Sequence, residues 1–237
     1  MVADAVIYHP SVDHYLKYVA TTVGRDKLLR TIQYLSRFTA WYLFRTNHLS
    51  TSILPFETLK KQLSLTRKLL RLGKSIEHLK AAALASDSKT LDPVLKTCAV
   101  GRQLGYAAYM FWDNLTVPDA AGVWRSERAK RWQKEAYRAW FAGLLCNIVA
   151  GVYTLVQLRE RERRVGEGKG VEAEGVVEGK KLVRERNATN LQLVSDVCDI
   201  MVPAFALGYA NLDDGIVGLA GTLSSLIGVW SVWKKTA

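Results

Sequence analysis

Apolar residues recur along most of this chain in steps of three and four, the spacing that puts them on one face of an α-helix. Val12, Leu16, Val19 and Val23 form a first stripe, with Ser11 suited to cap it. After a break at Gly24, Leu28, Ile32, Leu35 and Phe38 form a second stripe, with Arg30 and Arg37 opposite. Residues 46–55 (TNHLSTSILP) read as a loop. Pro55 suits the first turn of a third helix that runs to about Ser86. Residues 91–124 predict a fourth, interrupted at Val117-Pro118-Asp119. The pattern predicts an all-α protein, with amphipathic helices in the N-terminal half and a membrane-embedded helical C-terminal half.

The third helix carries the sharpest pattern. Leu65, Leu69, Leu72, Ile76, Leu79 and Ala83 follow one another at steps of 4, 3, 4, 3 and 4. Arg67, Arg71 and Lys74 lie opposite, and Lys61, Lys68 and Lys80 flank the stripe. Between Lys60 and Lys80 seven Lys/Arg face a single acid, Glu77. A leucine-rich face against a basic face describes a helix lying in the plane of an anionic membrane. The leucines would enter the lipid, and the cations would contact the headgroups at about 1 kcal/mol each.

Two stretches change the class of the protein. Residues 139–158 (AWFAGLLCNIVAGVYTLVQL) and 215–233 (GIVGLAGTLSSLIGVWSVW) contain no charged side chain. A helix of ~20 apolar residues crosses a hydrocarbon core. Trp132, Tyr137 and Trp140 stand at one end of the first, and Trp230, Trp233, Lys234 and Lys235 close the second, as interfacial anchors do. Gly218, Gly221 and Ser225 on the second predict close helix–helix association between copies in the membrane. Residues 191–212 are apolar but hold Asp196, Asp199 and Pro203, which predicts an interfacial or broken, reentrant helix. Residues 165–179, rich in Gly and Glu, read as a flexible linker. The chain thus divides into a basic amphipathic region (1–138), a candidate membrane helix with its basic flank (139–164), a linker and charged stretch (165–190), and a membrane-associated end (191–237).

Charge supports this division. The formal charge of +11 resides in residues 1–138, where 22 Lys/Arg meet 11 Asp/Glu, and residues 139–237 are neutral. Three scattered cysteines offer no metal or redox motif, and the four histidines show no ligand spacing. The Gly-rich GEGKG within 165–179 lacks the strand and spacing of a phosphate-binding loop. Asp213-Asp214 reads as the N-terminal cap of the last helix. The sequence therefore predicts no enzyme, no cofactor and no metal. No nucleic-acid-binding module is visible, so nucleic acid is not an expected partner.

Four separated motifs resemble the peroxin-11 family of peroxisomal membrane proteins. They are residues 22–38 (TVGRDKLLRTIQYLSRF), 101–107 with 113–115 (GRQLGYA and DNL), 184–199 (RERNATNLQLVSDVCD) and 213–222 (DDGIVGLAGT). They stand in the family's order, most like its fungal branch, and cover nearly the whole chain outside the Gly/Glu stretch. The resemblance implies residence in the peroxisomal membrane with both termini in the cytosol. It also implies membrane elongation before division, self-association, and recruitment of a dynamin-type fission machine. The family's remodelling helix falls on segment 60–85. Passage of small metabolites through an oligomeric channel is the alternative, with Asp196, Asp199, Asp213 and Asp214 as the expected lining.

Overall fold

The computed structural model describes residues 7–167 and 173–237, which form nine helices and no strand. The middle of the Gly/Glu stretch, expected to be a linker, lies outside the described residues, as does the chain's first segment. Helix α1 (Pro10–Ala20) is capped by His9, whose Nδ1 accepts from the Ser11 amide at 3.2 Å, so the cap falls before Ser11. The chain turns at Thr21, whose hydroxyl accepts from the Gly24 amide at 3.0 Å and opens α2 (Thr22–Arg45). The break comes ahead of Gly24, which lies inside α2 against the Tyr18 carbonyl, where a Cβ would not fit.

Helix α3 (Ser50–Leu70) starts inside the stretch expected to be a loop, and Pro55 falls within it rather than in its first turn. The expected single helix to Ser86 is two. Gly73 adopts the left-handed conformation (φ 78°), ending α3 and opening α4 (Lys74–Asp87). The leucine periodicity runs straight through this turn and so gives no sign of it. Asp92 caps α5 (Pro93–Leu115) by accepting from the amides of Val94 and Leu95. A single turn, α6 (Val117–Ala120), follows.

The remaining three helices are the long ones: α7 (Ala129–Glu167), α8 (Ala173–Leu207) and α9 (Asp214–Thr236). Each is long and apolar enough to cross a membrane. Helix α8 corrects the expectation of a broken segment: it continues through Asp196, Asp199 and Pro203 to Leu207. Its aspartates are tolerated because each finds a partner on another helix, Asn147 for Asp196 and Arg30 for Asp199.

Neighbours close into a ring. Helix α3 packs on α2, α2 on α9, α9 on α8, α8 on α7, α7 on α5 and α5 on α4, which the Gly73 turn joins back to α3. Small residues allow the closest approaches. A Cβ on Gly105 would meet Gly143 Cα at 2.7 Å between α5 and α7, and one on Gly218 would meet the Phe38 amide nitrogen at 2.9 Å between α9 and α2. Tyr34, Tyr109, Trp140, Leu144 and Val217 form the apolar core between these helices.

The ring is polar within and apolar without. Asp26, Arg30, Arg67, Lys68, Asp113 and Asp196 are buried, whereas Phe44, Leu54, Leu72, Ile76 and Leu84 are exposed. The most apolar windows of α7 and α8 bury only 17% and 22% of their residues. In water such an exterior would be a severe liability. In a bilayer it meets a solvent of its own kind, and most of the charges that lipid would reject pair with one another inside.

Candidate functional site

Two features of this ring have functional potential: its leucine-rich outside and a charged chamber that opens among its helices. On the outside, Leu69, Leu72, Ile76 and Leu79 are 48%, 55%, 71% and 52% exposed, and Leu65 is half-buried. The stripe is shared between α3, the Gly73 turn and α4. Lys61 and Lys80 are exposed beside it and Lys74 is half-buried.

Arg67, Lys68 and Arg71 point the other way from the expected headgroup contact. Arg67 Nε donates to Asp26 Oδ1 at 3.0 Å, and its Nη1 to Gln33 at 2.7 Å. Lys68 and Arg71 both pair with Asp113 at 3.1 Å, Lys68 also donating to Thr116 and Gln133. Arg71 further donates to the Tyr109 hydroxyl at 2.8 Å. The physical reason is partner supply: Asp26 on α2 and Asp113 on α5 are buried carboxylates, and Arg67, Lys68 and Arg71 form the ion pairs with them. Burial would raise the Asp26 carboxyl, but Arg67 and Arg71 outweigh it and hold it below the usual range.

The same logic governs α2. Arg30 pairs with Asp199 on α8, and Arg37 with Asp214 at the start of α9. Arg45 reaches Asp213 at 3.1 Å, while that carboxylate also accepts from the Gly215 amide and caps α9. Of the four aspartates expected to line a channel, Asp199 alone faces the chamber.

The chamber has a volume of about 1180 Å³ and is walled by α2, α3, α5, α7 and α8, with Lys74 and His78 of α4 at its side. Ten Lys/Arg and four Asp/Glu line it, a cationic excess of six. Burial and the neighbouring Arg30 push the Lys27 ammonium down to about 8, although Asp199 and Asp26 pull it up. Burial pushes the Tyr109 phenol up to about 12 against the pull of Arg71.

The small-residue row of α9 is used inside the chain. Gly218 lies against Phe38, and a side chain on Gly221 would overlap the Tyr34 ring. Ser225 is fully buried and donates to the Gly221 carbonyl at 2.5 Å. The close approach these residues allow is therefore to α2 of the same chain.

The "Peroxisomal biogenesis factor 11 (PEX11)" family model matches residues 12–233. The chain belongs to the PEX11 family. Peroxisomal membrane protein PMP27 of Saccharomyces cerevisiae is 29% identical to it, the alignment covering 100% of both chains. PMP30A of Candida boidinii is 28% identical over 100% of this chain and 99% of its own. Peroxisomal membrane protein 11B of Homo sapiens is 26% identical over 92% and 95%. No solved structure matches the chain. Family and relatives agree with the three apolar helices in making this a peroxisomal membrane protein.

Sequence reasoning missed Asp26, Lys27, Arg102 and Asp113 as members of one site in this PEX11 chain. A signal was present for Arg102 and Asp113, ionisable residues within the mostly apolar α5, which in a membrane protein marks the inward face; Asp26 and Lys27 stand in the charged run that opens α2 and carry no such mark.

Proposed function

We propose that this protein elongates the peroxisomal membrane ahead of division by setting the leucine stripe of α3 and α4 into the interfacial region of one leaflet. The exposure of Leu69, Leu72, Ile76 and Leu79 on the outside of the ring carries this reading. Full burial of one such side chain contributes about 1.5–3 kcal/mol, and interfacial burial a fraction of that. Lys61 and Lys80 remain free to meet anionic headgroups, whereas Arg67, Lys68 and Arg71 serve the interior. Both termini face the cytosol in this reading, where a dynamin-type machine would be recruited. Self-association would use the outer face of α9, where Leu219, Leu223 and Leu226 are exposed.

The test is reconstitution of the full chain into anionic giant vesicles. Wild type should draw tubules, and Leu69→Glu with Ile76→Glu should insert normally yet leave the vesicles round. Tubulation undiminished by the double substitution would overturn the wedge. The chamber favours a second reading, passage of small metabolites. That reading expects conductance in planar bilayers, reduced when Asp199, the chamber residue among the four aspartates expected to line a channel, is replaced by Asn.

A further inference from the structure

We propose that the chamber is a binding site for a small polyanion carrying phosphate groups, either the headgroup of a membrane lipid or a soluble phosphate ester. The first argument is charge. The ten cations face the four lining carboxylates and Asp214, which holds Arg37, and the five positive charges left over are unfavourable within an apolar ring unless counter-charge is drawn in. The second is the identity of the free cations. Arg30, Arg67, Lys68 and Arg71 are held by carboxylates, but Lys27, Lys74 and Arg102 form no ion pair among the described residues. Arg102 lies over the Tyr106 ring, and its Nε is buried without a hydrogen-bond partner.

The third argument is placement. The stem of Lys27 crosses Gly228 so closely that a Cβ there would sit 2.9 Å from Cε, so the glycine of α9 leaves room for Lys27 beside the chamber that it lines. Lys27 from α2 and Arg102 from α5 thus enter the chamber from different helices, with Lys74 at the side. Phosphate esters suit this arrangement better than a single carboxylate. Each phosphate brings more than one negative charge and several acceptor oxygens for the guanidinium fork and the ammonium groups. At about 1180 Å³ the chamber holds far more than a lone ion.

This inference stands apart from membrane bending, since its readout is binding and not vesicle shape. The experiment uses the full chain in nanodiscs of zwitterionic lipid. Soluble inositol trisphosphate is titrated by calorimetry, and phosphatidylinositol bisphosphate is offered in the nanodisc beside phosphatidylserine at matched charge. Saturable binding near one per chain is expected for at least one phosphate probe. Lys27→Gln with Arg102→Gln should weaken it at least tenfold, and Lys17→Gln with Lys89→Gln, outside the chamber, should leave it within twofold. Binding of both probes assigns the site to the phosphate group itself, and binding of the lipid alone assigns it to a headgroup. Removing unpaired like charges should not lower the melting temperature of the chamber variant. If that variant nonetheless fails to fold, Lys74→Gln at the side should weaken binding about threefold. The proposal is overturned if neither probe saturates, or if the probes bind the chamber variants as they bind wild type.

Discussion

Helix α2 faces two neighbours, and the two contacts are built from opposite materials. Toward α9 it presents Tyr34, Phe38 and Trp41, which lie on Gly221, Gly218 and Gly215. Toward α3 it presents Asp26 and Gln33, which hold Arg67, and farther round the chamber Asp113 of α5 holds Lys68 and Arg71. Along its middle the first seam is fixed by shape, because lipid gives helices no hydrophobic reason to associate and close packing must supply it, while Arg37–Asp214 and Arg45–Asp213 pin only the end where α9 begins. The second is fixed by charge, and its strength depends on every partner being present. One seam is close-packed and dry. The other borders a titratable chamber.

The largest effect should come from breaking the ionic seam at its shared acid. Asp113→Ala leaves Lys68 and Arg71 without their carboxylate, at a cost of ~3–5 kcal/mol, since two buried cations lose their partner. Adding Lys68→Met and Arg71→Met should restore much of the loss, measured by unfolding in micelles. A cost below ~1 kcal/mol for Asp113→Ala would mean that water in the chamber replaces the carboxylate.

The dry seam should break at Gly221. Gly221→Leu drives a side chain into the Tyr34 ring and should cost ~1–3 kcal/mol, unchanged between low and high salt. Tyr34→Ala in the same chain should recover part of it, and the double-mutant cycle reads the contact directly. Weakened crosslinking between copies with unchanged stability would instead assign Gly221 to an interface between chains.

The smallest effect sharpens the contrast through pH. Lys27 faces Arg30 and Asp26 of its own helix, Arg67 of α3 and Asp199 of α8, and its ammonium is pushed down to about 8 from the ordinary 10.5. Because the folded state binds this proton less tightly than the unfolded chain, folding is penalised below pH 8. The penalty is relieved as pH rises from about 8 to 10.5. Lys27 is half-buried beside a cavity, so screening leaves about 1 kcal/mol. Melting temperatures of wild type and Lys27→Met should converge across that window, and a constant offset would sink the assignment.

The segment 60–85 shows how far the sequence could be read. The leucine stripe, its phase and the opposing cations are as the periodicity describes. Its interruption is not, because Leu69, Leu72 and Ile76 keep their spacing across the left-handed Gly73. The direction of the two faces is likewise absent from the pattern. In water an amphipathic helix buries its apolar side, but beside lipid either side can face inward. The choice is made by Asp26 and Asp113, which lie 41 and 42 residues from Arg67 and Arg71. Asp199 is 169 residues from Arg30.

By itself the sequence determined the helical class, the apolar length of the C-terminal helices, the cap at Asp213 and the family. Each of these is a local property, set by spacing within about one helix or by residues in a fixed order. Only the tertiary structure decided that α8 continues through its aspartates and that the glycines of α9 receive α2. It alone gathered the cations of four helices around one chamber. Pairing of buried charges and fit of small against large residues depend on helices distant in the chain, and periodicity carries no information about which distant helix will be the neighbour.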